Sequence, residues 1–366
     1  MTFYSKDLTL TLTSTPRKKY SDKTQLKFGS LFTDHMLQVS WSKLNGWSHP
    51  EIVPYHNLSI DPAASCFHYG TECFEGMKVF STSEGVFNLF RPNLNLERLL
   101  RTSTRLGLPT FDPDEFLSCV EQLILVDKEW MPEGKGYSLY IRPCFISTYP
   151  HVGVSAPENA LLYVILSPVG PYFKGGFKAI KLETSGKYIR AWPGGMGSYK
   201  FSGNYAPGIV PQIEAQQNGF DQILWLHNNC CTEVGTMNFF VVWVNKNNET
   251  EIVTAPLDDK ILPGVTRTSV IEIAKKLGYK VNEREYTIDE VFQASKENRL
   301  LEAFGTGTAC VITPVKAINH LGKEIDIPLD KNDTKVQMGP IALRLYNALT
   351  DIQYGIVKSE WTVEVK

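Results

Sequence analysis

A single lysine, Lys200, stands among small residues and tyrosines in the stretch Gly197-Ser198-Tyr199-Lys200-Phe201-Ser202-Gly203-Asn204-Tyr205-Ala206-Pro207. A lysine amine condenses with a carbonyl compound to give a Schiff base, most readily where a partly desolvated pocket depresses its pKa. Taken alone, such a stretch more often marks a surface lysine in a glycine-rich loop. A second segment follows, Thr232-Glu233-Val234-Gly235-Thr236-Met237-Asn238, in which one carboxylate interrupts an uncharged run just ahead of the apolar residues 239–244. A buried carboxylate needs a partner. Pyridoxal 5'-phosphate (PLP) chemistry uses both groups: a lysine holds the aldehyde, and an acid opposite the pyridine nitrogen keeps it protonated and strengthens the ring as an electron sink. Lys200 and Glu233 suit those two roles.

A PLP phosphate requires backbone donors and a cation. The turn Leu262-Pro263-Gly264-Val265-Thr266-Arg267 runs into a helix whose Val270, Ile271, Ala274 and Leu277 recur on one side, so its first amides, with the Thr266 hydroxyl, suit an anion. The run Gly305-Thr306-Gly307-Thr308-Ala309 presents successive amides in a second anion-binding turn, although the same letters also describe a plain tight turn.

The elements that must carry these groups read as a mixed α/β, or α+β, chain. At 366 residues, 43% hydrophobic and 21% charged, it is long enough for two domains. Its formal charge of -2 and the scattered lysines and arginines give no footprint for nucleic acid, and no apolar run is long enough to span a bilayer. The first residues lack the order of a secretory signal, and Asp7 and Asp22 argue against a transit peptide, so cytoplasmic residence is expected. Seven cysteines without regular spacing and histidines without paired spacing suggest neither a disulfide framework nor a metal site.

In the first half, 77–80 and 160–166 read as strands, the latter and 239–244 as strands covered on both faces. Asp112 and Pro113 begin a helix with Glu115 in capping-box relation, and Phe116, Val120, Leu123 and Ile124 recur at helical spacing, as Leu96, Leu99, Leu100 and Leu106 do earlier. Turn-forming residues concentrate over 167–176. The resulting division is an N-terminal domain 1–168, a connection 169–178 and a C-terminal domain 179–366 that carries the lysine. In the latter, 285–295 reads as a helix with Thr287 and Glu290 in capping-box relation, and the helix reaching Leu277 stops at Gly278.

In order, GSYKFSGNY, TEVGTMN, LPGVTRTS and FGTGTAC resemble the branched-chain amino-acid aminotransferases, a fold type IV group of PLP enzymes. The likeness runs from about residue 28 to Ile352-Gln353-Tyr354-Gly355. It implies a two-domain fold with the catalytic cleft between the domains, a homodimer, and reversible ping-pong transfer of an amino group between L-leucine, L-isoleucine or L-valine and 2-oxoglutarate. For the cofactor it implies Lys200 as the Schiff-base lysine and proton carrier, Arg98 as the phosphate cation, and Val265 and Thr266 as further phosphate contacts. Tyr205 would face the phenolic oxygen with Thr236 near the same edge, and Glu233 the ring nitrogen. Local pattern alone would make Arg98 a solvated helix arginine, and Tyr205 and Thr236 core hydroxyls.

For the substrate, the resemblance implies an aromatic pocket of Phe28, Tyr69, Phe74 and Tyr140. By residue type, Arg142 is a candidate partner for the glutamate side-chain carboxylate, with an internal salt bridge as the alternative, and the second anion-binding turn offers Thr308 and Ala309 to the phosphate or the substrate α-carboxylate. Tyr172 would help close the entrance, a stretch that spacing alone describes equally well as a linker. Some members of the family continue with a Cys-x-x-Cys pair where this chain reads Cys310-Val311-Ile312-Thr313, which argues against a redox switch there. D-amino-acid transaminases and aminodeoxychorismate lyases share the cofactor frame, but the length and the FEGMK run at 74–78 favour the branched-chain group. The intact Lys200, Tyr205 and Glu233 set argues against a catalytically silent scaffold.

Overall fold

A computed structural model describes residues 2–171, 178–332 and 337–366. They group into two compact units. One comprises 2–171 together with Lys200–Ser202 and Asp351–Lys366; the other comprises 178–199 and the described part of Gly203–Thr350. Among the described residues the helices are α1 Ser65–Tyr69, α2 Pro92–Arg105, α3 Pro113–Val126, α4 Ile209–Gln217, α5 Val265–Lys276, α6 Ile288–Lys296 and α7 Pro340–Gln353. With two large sheets beside them, the chain is mixed α/β.

The sheet of the first unit runs in the order Thr9–Leu10, Glu51–Pro54, His35–Ser42, Asn159–Val169, Ser138–Ser147, Met77–Ser81, Phe87–Phe90, Thr362–Glu364. Short strands Gly46–Trp47 and Glu72–Phe74 pair with His35–Ser42 and Ser138–Ser147 respectively. Apart from Thr9–Leu10 beside Glu51–Pro54, the pairings are antiparallel. Leu96 and Leu99 of α2 and Phe116, Val120, Leu123 and Ile124 of α3 bury their side chains in a core shared with Val39, Leu139, Phe145 and Leu162. Asp112 accepts from the amides of Asp114 and Glu115, as a cap should. Glu115, however, does not complete a reciprocal box: its carboxylate takes the Ser5 amide at 2.6 Å and the Ser5 hydroxyl at 2.7 Å instead. The strand over 160–166 also departs from expectation, because Ala160, Leu162, Val164 and Leu166 are buried whereas the residues between them are only half-buried. One face of an antiparallel sheet is left partly open there.

In the second unit the order is Cys230–Val234, Gln222–His227, Ile180–Thr184, Val311–His320, Leu300–Gly307, Met237–Val244, Thr250–Thr254, Lys280–Glu283. Cys230–Val234 also pairs with Met237–Val244, which closes part of the sheet into a ring. Phe239 to Trp243 are all buried, so this strand is covered on both faces. Thr287 and Glu290 form the full capping box at the start of α6, and α5 is capped by Leu277, followed by Gly278 at φ 83°.

Candidate active site

In the first unit, the carboxylate of Glu75 gathers the polar groups of α2. Glu75 follows strand Glu72–Phe74, is completely buried, and accepts Arg98 Nε at 2.7 Å and Arg98 Nη2 at 2.9 Å, a two-pronged pair. Asn95 Nδ2 adds a third bond at 2.8 Å, and the Gly76 amide a fourth at 3.0 Å. Burial pushes the Glu75 carboxyl up, but the charge and hydrogen bonds of Arg98, the charge of Lys200 and the Asn95 amide outweigh it and hold the group below the ordinary carboxylate range. Arg98 is therefore a buried guanidinium rather than a solvated one on the outside of its helix.

Residue 200 belongs to the same cluster. Its amide donates to Thr102 Oγ1 at 3.2 Å, its carbonyl accepts from the Phe74 amide at 3.3 Å, and Nζ lies 4.8 Å from the centre of the Phe74 ring. The Arg142 guanidinium stands 4.7 Å from that ring and donates to the Tyr140 hydroxyl at 2.9 Å. Phe28 meets Tyr140 edge-on at 4.7 Å. Gly76 makes this packing possible: a Cβ there would lie 2.2 Å from the Tyr140 hydroxyl oxygen. Phe28, Phe74, Tyr140, Arg142 and Lys200 thus form one contiguous group. Tyr69, at the end of α1, is 41% exposed and donates its hydroxyl to the Val152 carbonyl. Tyr172 lies outside the described residues.

In the second unit, Glu233 is the centre of a second buried network. Its Oε1 accepts the Leu262 amide at 2.7 Å and Asn238 Nδ2 at 3.1 Å, and its Oε2 faces Arg190 Nε at 3.0 Å. Glu233 and Asn238 are cross-strand partners on either side of the Gly235-Thr236 turn, where Gly235 adopts φ 55°. Asn238 Nδ2 also donates to the Leu262 carbonyl at 2.8 Å, so one side chain ties the carboxylate to the turn that starts α5. That turn is tight, since a Cβ on Gly264 would lie 2.1 Å from Asn238 Oδ1. Gly264 caps α5 through extended backbone with no side-chain hydrogen bond, and Val265 and Thr266 are buried in its first turn.

Tyr205 and Thr236 share the wall of a cavity of about 270 Å³ with Arg190, Tyr188 and Trp225. Thr308 and Ala309 form the half-buried turn between Leu300–Gly307 and Val311–His320. Thr306, opposite Asn238 in register, buries a hydroxyl that has no hydrogen-bond partner among the described residues. Among the described residues, no group of three or more His, Cys, Asp or Glu is arranged to hold a metal.

Glu75, Arg190, Asn238 and Thr102 are the groups that reading the sequence missed. Glu75 has apolar or small immediate neighbours, Phe74, Gly76 and Met77, but Glu72 and Lys78 nearby dilute that signal; nothing local marks Arg190 or Thr102. The first unit thus holds a primary amine beside a buried guanidinium, and the second a buried carboxylate tied to a helix start, with a phenol on the wall of the cavity.

A family model of class IV amino-transferases matches residues 72–318. The mitochondrial branched-chain-amino-acid aminotransferase of Schizosaccharomyces pombe is 54% identical over 336 residues, covering 90% of this chain and 78% of the relative. The cytosolic branched-chain-amino-acid aminotransferase of Mus musculus is 49% identical over 368 residues, covering 100% of this chain and 94% of the relative. The crystal structure of the T.th. branched-chain amino acid aminotransferase with pyridoxamine 5'-phosphate is 27% identical, with TM-score 0.71 over 90% of this chain and 98% of that one. On matches of this extent, the chain belongs to the class IV aminotransferases and, within them, to the branched-chain-amino-acid aminotransferases.

Proposed function

We propose that this protein transfers an amino group reversibly between L-leucine, L-isoleucine or L-valine and 2-oxoglutarate, using PLP. The cofactor supplies an aldehyde that captures amino groups and a ring that takes up electron density. Lys200 would hold that aldehyde in the resting protein and would carry the substrate α-proton. Arg98, Val265, Thr266 and Thr308 would hold the phosphate; Glu233, its carboxylate fixed by Arg190 and Asn238, would take the ring nitrogen, and Tyr205 and Thr236 the phenolic edge. Thr308 and Ala309 take the substrate α-carboxylate.

The observation that carries this reading is the unbroken set of contacts from the Lys200 amine to Phe74, Arg142, Tyr140 and Phe28. An amine beside aromatic faces suits a branched apolar side chain, and the guanidinium in the same group suits the glutamate carboxylate. Tyr69 completes the expected pocket in this reading. Single-turnover half-reactions with L-leucine, L-glutamate and D-alanine test it: both L-substrates should convert the PLP-loaded protein, and a clear preference for D-alanine would refute the substrate assignment.

The same reading keeps the division 1–168, 169–178 and 179–366 along the chain, although Lys200–Ser202 and Asp351–Lys366 pack with the first unit, together with a cytoplasmic location and a homodimer. Cytosolic relatives support the location, although others are named as mitochondrial. Among the described residues no helix is long and apolar enough to cross a membrane. The exposed apolar residues Ile209, Val210 and Ile213 of α4, with Ile189 and Trp192, support self-association.

A further inference from the structure

Helix α2 makes two long-range attachments in successive turns. Arg98 is gripped by Glu75 through two hydrogen bonds. Thr102, four residues later and completely buried, donates its hydroxyl to the Arg98 carbonyl at 2.8 Å and accepts the amide of Lys200 at 3.2 Å. The first of these bonds is an ordinary habit of helical threonine. The second is not local, for it joins residues 98 positions apart in the chain. On its other side, the carbonyl of residue 200 accepts the Phe74 amide, and Phe74 is the immediate neighbour of Glu75. The main chain of residue 200 is therefore fixed from both sides by the two segments that fix Arg98.

We propose that Thr102 is a positioning residue: its hydroxyl sets where the main chain of residue 200 sits along α2, and so the separation between the Lys200 amine and the Arg98 guanidinium. The proposal rests on the reading that Lys200 condenses with PLP while Arg98 takes its phosphate. PLP carries its aldehyde on one ring carbon and its phosphate on a short methylene–oxygen arm from the next, so the amine meets the aldehyde only if the two protein groups lie within that short span. A misplacement of about 1 Å in such a geometry costs up to roughly 10²-fold.

The experiment compares the affinity of cofactor-free protein for PLP and for pyridoxamine 5'-phosphate. The latter carries the same ring and phosphate but an amine in place of the aldehyde, so it cannot condense with Lys200. Thr102→Val keeps the branched shape and removes the hydroxyl; it should weaken PLP by about tenfold and leave pyridoxamine 5'-phosphate within about twofold, with Thr102→Ser restoring PLP. Equal weakening of both cofactors, or an unchanged PLP affinity, would overturn the proposal. If the valine variant does not fold, Thr102→Ala is judged by the same ratio. A wild-type protein that binds both cofactors equally and gives no borohydride-stable adduct at Lys200 would instead overturn the role of Lys200, and this proposal with it, before any variant is compared.

Discussion

Glu75 shows how much one carboxylate can organise, since it holds Arg98, Asn95 and the Gly76 amide at once while fully buried. Removing one partner of such a pair leaves a buried charge without compensation, which typically costs about 3–5 kcal/mol. Glu75→Gln should therefore lower stability strongly at neutral pH. The pH dependence has a definite sign: the folded-state pKa lies below the unfolded value, so the stabilisation is present above the unfolded pKa and is lost as pH falls through the folded one. Melting curves of both proteins across pH should converge as acidity rises below about pH 4; a gap that widens in acid would contradict this assignment. In the sequence, Glu75 was legible in principle, as a charge enclosed by Phe74, Gly76 and Met77. Arg190 was not, because only the fold brings it to Glu233.

Elements convert these contacts into fixed geometry. The α5 start depends on Gly264, which lies against Asn238 Oδ1, and Asn238 is in turn bound to Glu233 and Leu262. Gly264→Ala would force that contact apart, at a cost of about 1–3 kcal/mol for overpacking. We expect it to lower PLP affinity as well as the melting temperature, measured by titration and calorimetry; unchanged affinity would separate the turn from the cofactor. Helix starts were the readily legible elements, because capping chemistry is local: Asp112 and Thr287 cap as read. Glu115 turned to Ser5 because a partner distant in sequence offered two donors. Short strands such as Glu72–Phe74 carry too few residues for a period to register, yet this one supplies the amide that holds residue 200.

For the whole molecule, the mixed α/β class was legible because strand and helix periods alternate through the chain, and the family likeness because several motifs keep their order. Strand order and register were not, since both depend on pairings such as Glu233 with Asn238 and Asn238 with Thr306, which join three strands. The grouping of Lys200–Ser202 with the first unit was equally hidden: it arises from the bonds to Thr102 and Phe74 rather than from chain proximity. Every role assigned above requires that residue 200 be the point of covalent attachment. Borohydride reduction of the PLP-loaded protein, followed by peptide mapping, should place a single pyridoxyl group on Lys200. A pyridoxyl group on any other side chain, or none at all, would contradict the account.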